Sequence, residues 1–122
     1  IKHGFNRKKL LYNFDFATAH STGFFVKKKE IIKVGLFDTR YKCSADYDLY
    51  YKLIIKNNLN GSSTKKENVI GEVMSGGFSS KVSFFDHLFE ETKIRFNNKQ
   101  NIILIFLIFL NAIIKWFLKK IF

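Results

Sequence analysis

At 122 residues, 47% of them hydrophobic and 17% aromatic, with 21 Lys and Arg against 10 Asp and Glu for a net +11, the chain is one domain or part of one. Its length excludes two independent domains, and an apolar content that includes 15 Phe excludes a disordered chain. The charge points to anionic partners (phosphates, nucleic acid or an acidic membrane surface), although heavy use of Lys, Asn, Ile and Phe without proline is also what an AT-rich genome writes.

The only cysteine, Cys43, cannot form an internal disulfide, so a reducing compartment is the default. The chain opens on Ile1, its one methionine is Met74, and no signal-peptide pattern stands at the start. It reads as the downstream part of a longer protein.

In chain order, a short helix is expected over residues 6–12. Residues 22–26 (TGFFV) have the apolar, aromatic character of a buried strand, and 27–34 (KKKEIIKV) read as a helix that Gly35 ends. After a loop, Ser44 is placed to cap a helix through about Asn58. Its apolar residues Tyr47, Leu49, Tyr50, Tyr51, Leu53, Ile54 and Ile55 nearly encircle it, so the helix should be mostly buried. A polar turn over 57–67 leads to a second expected strand, 68–74 (NVIGEVM), and then to a glycine-serine loop, 75–80 (SGGFSS).

Residues 83–97 form an amphipathic surface helix. Phe85, Leu88, Phe89 and Phe96 lie along one side, and Asp86, Glu90, Glu91, Lys93 and Arg95 mostly on the other. The tail changes composition sharply: residues 102–110 (IILIFLIFL) are unbroken apolar, and 13 positions pass before Lys115. At ~1.5 Å per residue these cover roughly 20 Å, short of the ~30 Å hydrocarbon core of a bilayer. From Thr92 onward there are six bases and no acid, +6 of the +11, so the tail is expected to lie on an anionic leaflet or to pack on protein.

Chemistry concentrates around Asp46 and Asp48. Two carboxylates two positions apart on a helix point about 200° apart, so they cannot share one task. Zinc spacing, a phosphate-binding P-loop and Ser or Cys nucleophile arrangements are absent, and a ligand role for His20 or His87 has little to support it.

Taken in order, His20 to Phe24 (HSTGF), Gly35 to Asp38 (GLFD), Ala45-Asp46 and Gly76 to Ser79 (GGFS) resemble the second half of a family 2 glycosyltransferase, the kind that builds bacterial surface polysaccharides. The resemblance spans residues 20–91. It implies an α/β fold, the C-terminal portion of a GT-A nucleotide-sugar transferase with few strands and packed helices, followed by the apolar tail helix. Residues 1–97 would be the acceptor-side part of the transferase domain, and 98–122 the tail, membrane-associated or packed. The resemblance makes Asp46 the general base of an inverting transfer, and it sets His20, Thr22, Gly23, Asp48, Gly76, Gly77 and Ser79 around the substrates, with Asp48 supporting the helix. Ala45 stands where members of the family usually carry Glu.

The implied partners are a nucleotide-sugar donor, a glycan or lipid-linked acceptor and an anionic membrane surface on the cytoplasmic side; nucleic acid is not expected. A divalent cation, Mg or Mn, would be held by the D-x-D of an N-terminal half that this chain lacks, with no metal ligand supplied here, so the segment alone should not catalyse. The competing reading is a non-enzymatic basic module that binds anionic lipid or nucleic acid through Lys27, Lys28 and Lys29 beside Phe24 and Phe25.

Overall fold

The computed structural model describes residues 4–13, 21–65, 67–72, 74 and 76–122. Its elements are α1 (Arg7–Asn13), a 3-10 turn (Ser21–Gly23), α2 (Lys28–Val34), α3 (Ala45–Tyr50) running directly into a π-helical segment (Tyr51–Lys56), the single-turn α4 (Phe78–Lys81), α5 (Phe84–Asn97) and α6 (Ile102–Ile121).

The described residues contain no β-strand, which corrects the expected α/β fold. Of the first expected strand, Thr22 and Gly23 belong to the 3-10 turn and 24–27 are irregular. The second is irregular where described, Val73 lying outside the described residues. The physical reason is pairing: a strand satisfies its N–H and C=O groups only through a neighbour. The second run also lacks a covering layer, since Val69, Ile70 and Met74 are exposed, whereas in the first Phe24 and Val26 pack on the core and, of its apolar residues, only Phe25 is exposed. β-Propensity without a partner strand leaves loop.

The helices follow local rules. Gly35, at φ 92°, ends α2, its N–H bonding to Ile32 O at 3.2 Å while Leu36 N–H reaches Ile31 O at 3.1 Å. α3 and the π segment form the buried axis of the molecule. Tyr47, Leu49, Tyr50, Tyr51, Leu53 and Ile54 make most of the core with Leu10, Tyr41 and Ile94, because a helix apolar on all sides is stable only when enclosed. In the π segment Asn57 N–H bonds Lys52 O at 3.0 Å, one residue wider than an α-turn.

α5 departs from the expected amphipathic pattern. Arg95, expected to be exposed, is completely buried, and Glu90 and Glu91 turn toward the body of the protein, while Phe89 and Phe96 remain exposed. Arg95 is tolerated inside because its guanidinium donates to the carbonyls of Leu10 and Leu11 and to Gln100 Oε1 (2.9 Å) and lies over the Tyr47 ring. It closes the last turn of α1 onto α5.

α6 is a single helix of 20 residues that continues through Lys115. By length and composition it could cross a membrane, a correction to the count of 13 residues made from the sequence. Asn101 caps it, its side chain accepting from Ile103 N–H (2.9 Å) and Leu104 N–H (3.2 Å). α6 folds back along α5: Trp116 stacks on Phe84 at 5.5 Å and meets Phe85 edge-on at 5.0 Å, while Phe109 meets Phe89 at 6.0 Å.

Candidate functional site

The acidic helix begins at Ser44, a buried residue in the N-cap position whose hydroxyl makes no capping bond. The start is held from outside. One carboxylate, Glu90 of α5, accepts the backbone N–H groups of Lys42 (2.7 Å), Cys43 (2.9 Å) and Ser44 (3.0 Å), and the Cys43 thiol at 3.1 Å. Partial burial raises the Glu90 pKa, but these four donors outweigh it and hold the carboxyl below its ordinary value. The Cys43 thiol is pushed up to about 11 by burial first, then by its bond to Glu90, which makes it an inert thiol.

From that start the two aspartates diverge. Asp48, 1% exposed, pairs with Lys52 Nζ at 2.6 Å and accepts Asn98 Nδ2 at 3.1 Å, so it ties the helix to the end of α5. Asp46, in the first turn, is only partly covered, and its Oδ1 accepts the Tyr47 N–H at 2.8 Å. Asp46 shares its surroundings with Tyr50 and Glu91. Burial, with the Asp46 charge as a smaller contribution, pushes the Tyr50 phenol well above its usual value. Glu91 is raised to about 8, mainly by burial; Arg95 opposes the rise and Asp46 adds to it. At neutral pH Glu91 is therefore largely protonated and adds little second negative charge beside Asp46.

The other site residues expected from the sequence lie apart from this pair of helices. Thr22, exposed, and Gly23 form the 3-10 turn. Gly23 lines a cleft of about 610 Å³ together with Phe25, Lys27, Lys29 and the 59–64 loop; Asp46 is not among its walls. Gly76 (φ 93°) and Gly77 lead into α4, which carries Ser79, and the turn closes on itself through Ser80 Oγ to Gly77 O at 2.7 Å. His20 lies outside the described residues. In the expected G-x-F-D turn, Asp38 is locked in a bidentate pair with Arg40 (2.9 and 2.7 Å), which keeps its carboxyl far below the usual range.

Glu90 and Glu91 escaped the sequence reading because alternating charges on a helix are indistinguishable from a solvated face until the 41–44 loop is folded against them. Among the described residues, no group of three His, Cys, Asp or Glu side chains could hold a metal ion. Comparison with protein-family models, curated proteins and solved structures finds no match for this chain.

Proposed function

We propose that this chain is the acceptor-side part of an inverting sugar transferase, in which Asp46 accepts the proton of the acceptor hydroxyl. The observation that carries the reading is the division of labour between two neighbouring carboxylates: Asp48 is buried and ion-paired, whereas Asp46 is partly open at the start of the same helix. The order of motifs in the sequence supports it. The helical architecture of the described residues does not.

A sugar hydroxyl is too weak an acid to attack unaided at neutral pH. As its oxygen bonds to the anomeric carbon, the proton passes to an Asp46 carboxylate oxygen and the donor's bond to its nucleotide diphosphate breaks. Glu90 fixes the backbone from which Asp46 projects, and the largely neutral Glu91 avoids a like-charge clash beside it. The Mg or Mn that the resemblance implies would be held by an N-terminal half, and among the described residues no group of three His, Cys, Asp or Glu side chains offers it a site. The reading includes a nucleotide-sugar donor, a glycan or lipid-linked acceptor and work at the cytoplasmic membrane face.

A non-enzymatic basic module is the second reading, favoured by the exposed Phe25 beside Lys27 and Lys29 at the mouth of the cleft. The two are separated in membranes from cells making the complete gene product, supplied with a panel of labelled nucleotide-sugars. Asp46→Asn is expected to lower transfer by ~10² to 10⁴ per folded molecule, as for a lost general base. Asp48→Asn should cost far less. Loss of function in Lys27→Gln/Lys29→Gln with Asp46→Asn unaffected would give the answer to the basic module.

A further inference from the structure

α6 uses only part of its circumference against α5. The inward side carries Ile105, Ile108, Phe109 and Trp116. On the other side Ile103, Phe106, Leu107, Leu110, Ile114, Phe117, Leu118 and Ile121 recur at spacings of three and four and so occupy a sector of about 120°. All eight are between 42 and 71% exposed, and no polar residue interrupts them. A stripe of this length and purity is far beyond the scattered apolar residues of an ordinary protein surface.

Charge identifies what covers it. Of the six bases after Thr92, Arg95 is buried, and the other five, Lys93, Lys99, Lys115, Lys119 and Lys120, are exposed with no acid among them. A second copy of this chain would bring the same exposed Lys115, Lys119 and Lys120, with no acid to pair them, so self-association is opposed. An anionic surface is not.

The pairing of helices decides the geometry. The ring contacts between α5 and α6 run from Phe89 and Phe109 to Phe84 and Trp116, along the first half of α5 and the middle of α6. For α6 to cross a bilayer it would have to leave α5 or take it along, and α5 carries Asp86, Glu90, Glu91, Lys93 and Arg95. Glu90 and Arg95 are also bonded to the 42–44 backbone and to α1. Charged groups deep in hydrocarbon are costly.

We infer that α6, although long enough to span, lies in the plane of an anionic lipid bilayer, with the Ile103 to Ile121 stripe among the acyl chains and the lysines at the level of the phosphates. Lysine stems permit this, since they carry the ammonium to the interface while the helix sits lower. The inference holds whether or not Asp46 is a catalytic base.

The test uses the complete chain in a Cys43→Ser background with an environment-sensitive fluorophore at Leu110→Cys or at Lys119→Cys, mixed with sealed vesicles of phosphatidylcholine alone or with phosphatidylglycerol. Binding to the anionic vesicles, a blue-shifted Leu110 probe and a Lys119 probe open to a quencher added outside are expected. Lys119→Gln/Lys120→Gln should weaken binding by roughly 30-fold at low salt, at ~1 kcal/mol per base. Leu110→Glu/Ile114→Glu, with helix content checked by circular dichroism, should abolish it. A Lys119 probe reached only from the vesicle lumen would show a spanning helix and overturn the inference. So would equal affinity for neutral lipid, no vesicle binding, or burial of the stripe in a stable dimer.

Discussion

Glu90 accepts the N–H of Ser44 at 3.0 Å, and Ser44 is the residue from which the helix bearing Asp46 starts. A side chain of α5 thus accepts the N-cap residue's own N–H, the bond that a Glu in the first helical turn makes in a capping box, and couples the acidic helix to a distant part of the chain. The same carboxylate also holds Lys42 and Cys43, so the three residues before the helix form one set of donors around it.

Replacing Glu90 tests that coupling. Glu90→Gln keeps the shape but removes the charge and one acceptor, and is expected to destabilise the fold by about 2 kcal/mol. The folded pKa of Glu90 is depressed, so its contribution is present above the unfolded value of about 4.3 and is lost as pH falls through the folded value. Urea titrations of wild type and Glu90→Gln should therefore converge in acid and separate near neutrality. A constant gap at every pH would assign the loss to shape alone.

Glu91 should show the opposite sign. Its folded pKa of about 8 lies above the unfolded value, so the folded state keeps a proton that the unfolded state releases. Between about pH 4.3 and pH 8 this side chain makes the protein less stable as pH rises. Glu91→Gln, which stays neutral, is expected to raise the melting temperature at pH 8 more than at pH 5. The difference between the two pH values is the readout.

Arg95 is completely buried, and backbone carbonyls of α1 hold its guanidinium. Arg95→Ala should cost about 3 to 5 kcal/mol, since it removes the guanidinium's bonds to the Leu10 and Leu11 carbonyls, leaving them only Tyr47 Oη and Gln100 Nε2 as donors, and opens a cavity under Tyr47. Arg95→Lys should recover only part of that. A single ammonium cannot reproduce the forked contacts to Leu10, Leu11 and Gln100. Equal stability of Arg95→Lys and wild type, by denaturant titration, would contradict the role given to the fork.

The paired glycines before α4 are not equivalent. Gly76 has φ 93°, whereas Gly77 is extended and has open space where a Cβ would project. Gly76→Ala is expected to destabilise by about 1 kcal/mol or more, and Gly77→Ala to be near neutral or slightly stabilising. Thermal melts of the two variants, side by side, distinguish these outcomes.

Several features were legible in the sequence because they depend on neighbours along the chain. The encircling apolar residues of Tyr47 to Ile55 require a buried helix in any fold. Gly35 ends α2 because a left-handed turn there needs no contact from afar, and the spacing of two makes Asp46 and Asp48 face apart whatever surrounds them. The unbroken run from Ile102 makes α6. The sequence alone could not tell that residues 22–26 and 68–74 remain without strand partners among the described residues, since pairing is a relation between distant segments. Nor could it show which side of α5 turns inward: Arg95 and Glu90 look solvated until the α1 carbonyls and the 42–44 amides meet them, and hydrogen bonding then offsets the cost of burying charge. Tertiary structure likewise decided where α6 packs. Its length and composition were readable along the chain, but that Trp116 and Phe109 meet Phe84, Phe85 and Phe89 of α5 is a contact between separate helices, which no local pattern specifies.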